Sequence, residues 1–197
     1  SGETKTITLP ESVTHIGDGA FSGCGLSSIT IPRGVTKIGK DTFSESDISS
    51  VTLPEGVTEI GDSAFNRCFN LASVTLPEGV TEIGAYAFNQ CGELADVVIA
   101  GNMVNIGSYA FSESTNLNSV TISGSVANIG EFAFRQSGIQ NFEIPEGLAV
   151  IGDDAFSYSG LCSISLPEGL TTIGSRTFEG CSSLASITIP ASVTLFG

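Results

Sequence analysis

Tryptophan is absent from the 197 residues, and methionine and histidine occur once each. Basic side chains are scarce: 7 Lys and Arg stand against 21 Asp and Glu, a formal net charge of −14. Nucleic-acid binding needs Lys and Arg to displace counterions from phosphates, so no nucleic-acid partner is expected. The same balance argues against an anionic membrane surface. No run of about 18 apolar residues occurs, so no helical membrane insertion is expected. Charged residues make up only 14% against 41% hydrophobic, which is not the composition of a disordered acidic tail. A secretory leader is not visible, because Ser1-Gly2 runs straight into patterned sequence, as in a processed or trimmed chain.

Catalytic chemistry has little to draw on. The one histidine, His15, occupies a repeat position filled elsewhere by Lys37, Glu59 and Glu82, and nothing stands beside it to complete a triad. The 24 glycines never form a phosphate loop followed by Lys-Ser/Thr. No catalytic residue, metal or cofactor is therefore expected, and the chain is read as a non-enzyme.

What is present is a repeat. Ile-Gly recurs at Ile16, Ile38, Ile60, Ile83, Ile106, Ile129, Ile151 and Ile173, and Phe196-Gly197 closes the series, in steps of 22 or 23 residues. A Phe column keeps the same register at Phe21, Phe43, Phe65, Phe88, Phe111, Phe134, Phe156 and Phe178. The extra residue of the longer units falls between this Phe and the next Leu, at a corner. Segments such as Ile29-Thr30-Ile31, Val74-Thr75-Leu76 and Ile187-Thr188-Ile189 alternate as strands do, and nine of them occur. All 7 prolines follow such segments, where a residue unable to donate to the ladder ends a strand. The Val-Thr-x-Ile-Gly stretch predicts a second short strand, with Gly allowing a tight bend. Asp18, Asp62 and Asp153 then suit the N-cap of one helical turn that presents Ala-Phe inward.

A unit this short cannot bury its own apolar face, so the units must stack. The expected fold is a repeat solenoid over residues 1–197, a single domain of eight full units plus partial ends. One face carries a parallel sheet of about nine short strands, roughly 38 Å across at ~4.8 Å per rung. Short second strands and single helical turns occupy the other. The units around Val97-Val98-Ile99 and Val120-Thr121-Ile122 lack Pro and the Glu-Gly turn, which predicts a looser or differently decorated middle.

The best-formed unit, Leu71 to Cys91, reads L-x-x-V-x-L-P-E-G-V-T-E-I-G-x-x-A-F-x-x-C. Its first part looks like the strand signature of leucine-rich repeats, and the continuation resembles the Treponema-type, or BspA-like, subclass. The resemblance runs from about Ile7 to Gly197. It implies a secreted or cell-surface bacterial protein of adhesin type, since such proteins are typically found on host-associated anaerobes and some protist parasites. Neither end carries a polar capping repeat, which is expected of a segment of a longer chain, or else of ends that pair with another copy.

Three sets of residues are candidates for more than scaffold. Cys24, Cys68, Cys91 and Cys181 follow the repeat Phe by three, in a column that elsewhere holds Ser46, Ser114, Ser137 and Ser159. Structural free thiols are the expectation for these and for the off-column Cys162; a Cys68–Cys91 disulfide between adjacent rungs is geometrically conceivable. Glu11, Glu55, Glu78, Glu146 and Glu168 form an acidic column with Glu59 and Glu82 nearby, read as a solvated edge or, alternatively, a calcium site. The outward sheet face bears a ladder of small hydroxyls, including Thr75 and Thr121, interrupted by Asp96, Val98, Asn141 and Glu143. Plain β-propensity explains such a ladder; a hydrogen-bonding platform for a host or microbial surface protein or glycan explains it too. The middle rungs, with Asp96, Val98, Asn141, Glu143, Thr75 and Thr121, are the expected ligand site. The alternative is a structural spacer without a ligand of its own.

Overall fold

The computed structural model describes residues 5–197, and the opening Ser1-Gly2 lies outside them. The strands are β1 (Thr6–Thr8), β2 (Ser28–Thr30), β3 (Lys37–Ile38), β4 (Ser50–Thr52) and β5 (Glu59–Ile60). The central units hold β6 (Ser73–Leu76), β7 (Glu82–Ile83), β8 (Asp96–Ile99), β9 (Met103–Ile106), β10 (Ser119–Ile122) and β11 (Val126–Ile129). The series ends with β12 (Asn141–Glu143), β13 (Val150–Ile151), β14 (Ser163–Ser165), β15 (Thr172–Ile173) and β16 (Leu195–Phe196). Every pairing is parallel and joins equivalent residues of successive repeats, as in Ile60↔Ile83 and Val74↔Val97. The chain is thus a parallel β-solenoid.

The two sheets differ from the expectation in continuity. The first is not one nine-stranded sheet but three pieces, β1-β2-β4, β6-β8-β10 and β12-β14, and Ile187-Thr188-Ile189 forms no strand. The second, built from the shorter segments, runs unbroken through eight strands from β3 to β16. Corner length accounts for the breaks. Five positions separate Phe21 from Leu26, Phe43 from Ile48, Phe134 from Ile139 and Phe156 from Leu161; six separate Phe65 from Leu71, Phe88 from Leu94, Phe111 from Leu117 and Phe178 from Leu184. Strands entered through like corners pair, and at each change the ladder stops. One extra residue brings ~3.3 Å of chain into the corner, whereas a backbone hydrogen bond tolerates only a few tenths of an ångström. Across the two breaks a single long bond remains at the corner, Ala72 N–H to Ser49 and Gly138 N–H to Ser114, both at 3.3 Å, and the second sheet continues past both.

The units expected to be looser or differently decorated hold the longest strands of the second sheet. Without the Pro-Glu-Gly turn, β9 and β11 each reach four residues, twice the length of their neighbours β7 and β13.

Among the described residues no helical turn forms on the third side. Each repeat makes consecutive hydrogen-bonded turns, such as Ala64 N–H to Gly61 and Cys68 N–H to Phe65. Two residues per turn region sit in the left-handed conformation, in columns that start at Gly19 and Gly23 and continue with Asp41 (φ 53°) and Glu45 (φ 59°). A non-glycine residue there costs on the order of 1 kcal/mol or more. The compensation is a third ladder: Asp41, Phe43 and Glu45 donate their N–H groups to Asp62, Ala64 and Asn66 of the next rung at 2.8–2.9 Å. The expected Asp caps act between rungs as well. Asp18, Asp62 and Asp153 accept from the N–H groups of Lys40, Ala85 and Ser175 at 2.9, 2.8 and 2.7 Å, because in a stack the next rung is as near as the residue's own turn.

The interior is a file of rings. Phe43, Phe65, Phe88, Phe111, Phe134 and Phe156 are fully buried, and successive rings from Phe21 to Phe178 stack with centroids 5.1–5.9 Å apart. Each such pair adds about 0.5–1.5 kcal/mol to the burial of its area. The Ile-Gly glycines belong to this stacking and not to a bend: none has a left-handed φ. A Cβ on Gly107 would lie 2.6 Å from the Gly84 carbonyl carbon, so the rungs touch through these positions.

Candidate binding surface

The outward sheet face holds the six expected residues, but in two groups. Asp96 and Val98 lie on β8, in register with Ser73 and Ser119 and with Thr75 and Thr121 respectively. Asn141 and Glu143 lie on β12, beyond the second break, in register with Ser163 and Ser165. The four exceptional residues therefore do not form one cluster. The break does create a feature of its own: a shallow cleft of 240 Å³ lined by Ser119, Val120, Thr121, Ile122, Asn141 and Glu143. Thr75 lines a similar cleft of 260 Å³ at the first break, with Ser73, Thr52 and Glu55. Asn141 is oriented by a 2.7 Å hydrogen bond that its side-chain oxygen accepts from the Ser163 hydroxyl.

The aromatic residues reach the surface elsewhere. In the first left-handed column Tyr86, Tyr109 and Phe132 stack at 4.6 Å, in line with the solenoid axis. The Arg135 guanidinium stands 5.9 Å from the Phe132 ring and 5.9 Å from that of Tyr158, within the range of cation–π attraction. Tyr158 donates its hydroxyl proton to Glu179 at 2.8 Å, and that bond raises the pKa of the phenol. Partial burial, with Tyr86 beside it, raises that of Tyr109. Arg176 closes the column on Asp154, with Nη2 2.8 Å from Oδ2. The reading of the sequence missed this stripe, although its signal was available. All three aromatics occupy the position two before the repeat Phe, at a spacing of 23 residues.

The other candidates resolve into structure. All five thiols are free. Cys68, Cys91 and Cys181 donate to the carbonyls of Phe43, Phe65 and Phe156 in the preceding rung at 3.0–3.1 Å, and Ser114 does the same to Phe88 at 2.8 Å. Ser137 donates instead to Phe134 of its own rung at 2.7 Å, and Ser46 and Ser159 meet the sulfurs of Cys68 and Cys181, so the column accepts Cys or Ser because either is a small side chain that hydrogen-bonds in the interior. Burial pushes the Cys68 thiol up to about 11, against which its hydrogen bonds with Ser46 work, and raises Cys91 well above its ordinary value. Arg33 joins the acidic column through Glu11 at 3.4 Å, and Lys37 lies 2.7 Å from Glu59. Among the described residues no three His, Cys, Asp or Glu side chains converge to hold a metal. His15 shares a 2.9 Å hydrogen bond with the neighbouring Thr14 hydroxyl.

The geometry agrees with known proteins. A leucine-rich repeat protein of Treponema pallidum superposes with a TM-score of 0.67 at 26% identity, over 93% of this chain and 79% of that one. A leucine-rich repeat protein of Bacteroides ovatus gives 0.58 at 26% identity, over 96% and 67%. A protein of Faecalibacterium prausnitzii described as a leucine rich cell surface protein shares the fold, with a TM-score of 0.63 at 24% identity over 99% and 78%. No curated protein matches the sequence. The family model described as the BspA type leucine rich repeat region matches residues 1–109 and 81–197 in 6 copies. The chain belongs to the BspA-type leucine-rich repeat family.

Proposed function

We propose that this chain is a non-catalytic, adhesin-like binding module, secreted or at a bacterial cell surface, that recognises a protein or glycan through the outward sheet face. The observation that carries the reading is the cleft at the β10–β12 break. It joins the hydroxyl of Thr121 to the amide of Asn141 and the carboxylate of Glu143 on a surface of mostly Ser and Thr. Short hydroxyls contribute modest affinity each, and the break adds polar groups of different chemistry in a concave setting. Gain comes from many repeats or copies acting together. The cell-surface placement extends to this chain the description of the Faecalibacterium protein and is part of the proposal.

The test is surface capture of host matrix proteins, plasma glycoproteins and glycans by the purified chain. Two variants run beside it, Asn141→Ser/Glu143→Ser and Asp96→Ser/Val98→Thr, which install the residues of the adjoining rungs and so keep the fold. Saturable capture that the first variant loses supports the cleft. Absence of any saturable ligand with a folded sample favours a spacer role.

A further inference from the structure

We propose that the first left-handed column receives an arginine side chain of a partner protein in the slot above Ser63, between Asp41 and Tyr86. The inference shares with the proposed function the reading of the chain as a recognition module, but it uses a different face.

Asp41, Ser63 and Tyr86 are equivalent residues of three successive rungs. Their φ angles are 53°, 54° and 59°, and each donates its N–H to the next rung at 2.8–2.9 Å. The backbone therefore sends three side chains along the same line. Rings on this line stack at 4.6 Å, but Ser63 is too short to continue the stack. A gap of one rung is left, with a carboxylate on one side and an aromatic face on the other. Tyr86 is 41% exposed.

The molecule already uses both halves of this arrangement internally. One rung after Asp154, Arg176 places its guanidinium on the carboxylate, with Nε 3.1 Å and Nη2 2.8 Å from Oδ2. At the far end of the aromatic stack, Arg135 caps Phe132. At Ser63 the two partners stand one rung to either side, and Arg67 of the other left-handed column is engaged elsewhere. Arg67 is held by Glu45 at 3.0 Å and Gln90 at 3.2 Å.

Guanidinium fits because it is planar enough to stack and forked enough to meet a carboxylate, which an ammonium is not. The net charge of −14 draws cationic segments to the surface.

The test is an NMR titration of the ¹⁵N-labelled chain with capped Gly-Arg-Gly, with its uncharged citrulline counterpart and with a neutral trisaccharide. Saturable shifts centred on Asp41, Ser63 and Tyr86 are expected with the arginine peptide. Citrulline should bind roughly fivefold or more weakly, and Asp41→Asn should weaken the arginine peptide to a similar extent. Ser63→Tyr should abolish binding by filling the slot, and its fold is secure because Tyr86 and Tyr109 hold the same conformation natively. Asn141→Ser/Glu143→Ser should bind the peptide as the unaltered chain does, so that failure of the sheet cleft and failure of this site read out separately. Lack of saturable shifts, equal binding of citrulline, persistence of binding in Ser63→Tyr, or the same shifts with the trisaccharide in place of the peptide would each overturn the proposal.

Discussion

Gly17 and Gly107 occupy the same place in their repeats, so replacing each by Ala separates the effect of stacking from that of the residue itself. At Gly17 a Cβ meets nothing within 4 Å. Its φ is not left-handed, so Ala there restricts only the unfolded chain and is expected to be neutral or stabilising by about 0.4–1 kcal/mol. At Gly107 the added carbon lies 2.6 Å from Gly84 C and 2.7 Å from Ala85 N, where ordinary contact begins at 3.4 Å. These are backbone atoms and cannot swing away. Relief requires the rungs to part by about 0.8 Å, which would stretch the 2.8 Å bond from Gly107 N–H to Ile83 O beyond hydrogen-bonding length. Overpacking of this kind costs about 1–3 kcal/mol, and a weakened ladder bond adds about 1. A total near 3 kcal/mol lowers the melting temperature of a chain this size by roughly 6–12 °C. Thermal unfolding followed by far-UV circular dichroism measures both variants. Equal melting temperatures would refute the claim that these glycines exist for contact between rungs.

Three further outcomes follow from the same geometry. Exposed Cys162 should alkylate readily at neutral pH while Cys68 and Cys91 stay unreactive in the native state. Because burial raises the Cys68 thiol from 9.0 to about 11, its contribution is intact below pH 9 and is lost as pH rises toward 11, a change of roughly 2–3 kcal/mol. Urea unfolding across that window, compared with Cys68→Ser, reads the difference; identical pH profiles would discard it. Inserting one residue between Ser137 and Ile139 lengthens that corner from five positions to six. Pairing of β12 should then shift from β14 to β10, moving hydrogen-exchange protection with it by roughly tenfold per bond. Unchanged protection would rule out corner length as the cause of the breaks.

The period of the repeat was enough to place the Phe file, the strand pairs and the Cys/Ser column. Each of these is set by a side chain whose burial recurs every rung, and recurrence is what a single sequence displays. The continuity of the sheets was less visible. The five- and six-position corners were countable, but their consequence depends on whether a displaced strand can still meet its neighbour, which is a distance and not a pattern. Gly107 and its equivalents misled for a related reason. Glycine usually signals unusual φ, and only the stack shows that here it signals proximity of another backbone. Asp18, Asp62 and Asp153 looked like caps because a local partner is the default in reading along a chain; their true acceptor role reaches 22 or 23 residues ahead. Val98, Asp96, Asn141 and Glu143 were found as departures from a column, yet the break between β10 and β12 divides them.

That division bears on where recognition can evolve in such a molecule. On the sheet face a residue must suit a strand, and the outward columns return to Thr and Ser wherever β-propensity is unopposed. The left-handed columns work under a different constraint. Their backbone is held by the N–H bonds to the next rung, which do not involve the side chain. The first of them carries Gly19, Asp41, Ser63, Tyr86, Tyr109, Phe132 and Asp154, each donating to the next rung, and ends at Arg176. An acid, a hydroxyl, three aromatic rings, a second acid and a guanidinium thus follow one another on a fixed line at rung spacing. Because the conformational cost of each position is met by the ladder, side-chain identity there can change almost freely. A surface that varies in chemistry while its geometry stays constant is well suited to binding a particular partner. By that reasoning the turn side of the solenoid is at least as strong a place for specificity as the broad sheet, where leucine-rich repeats invite attention first.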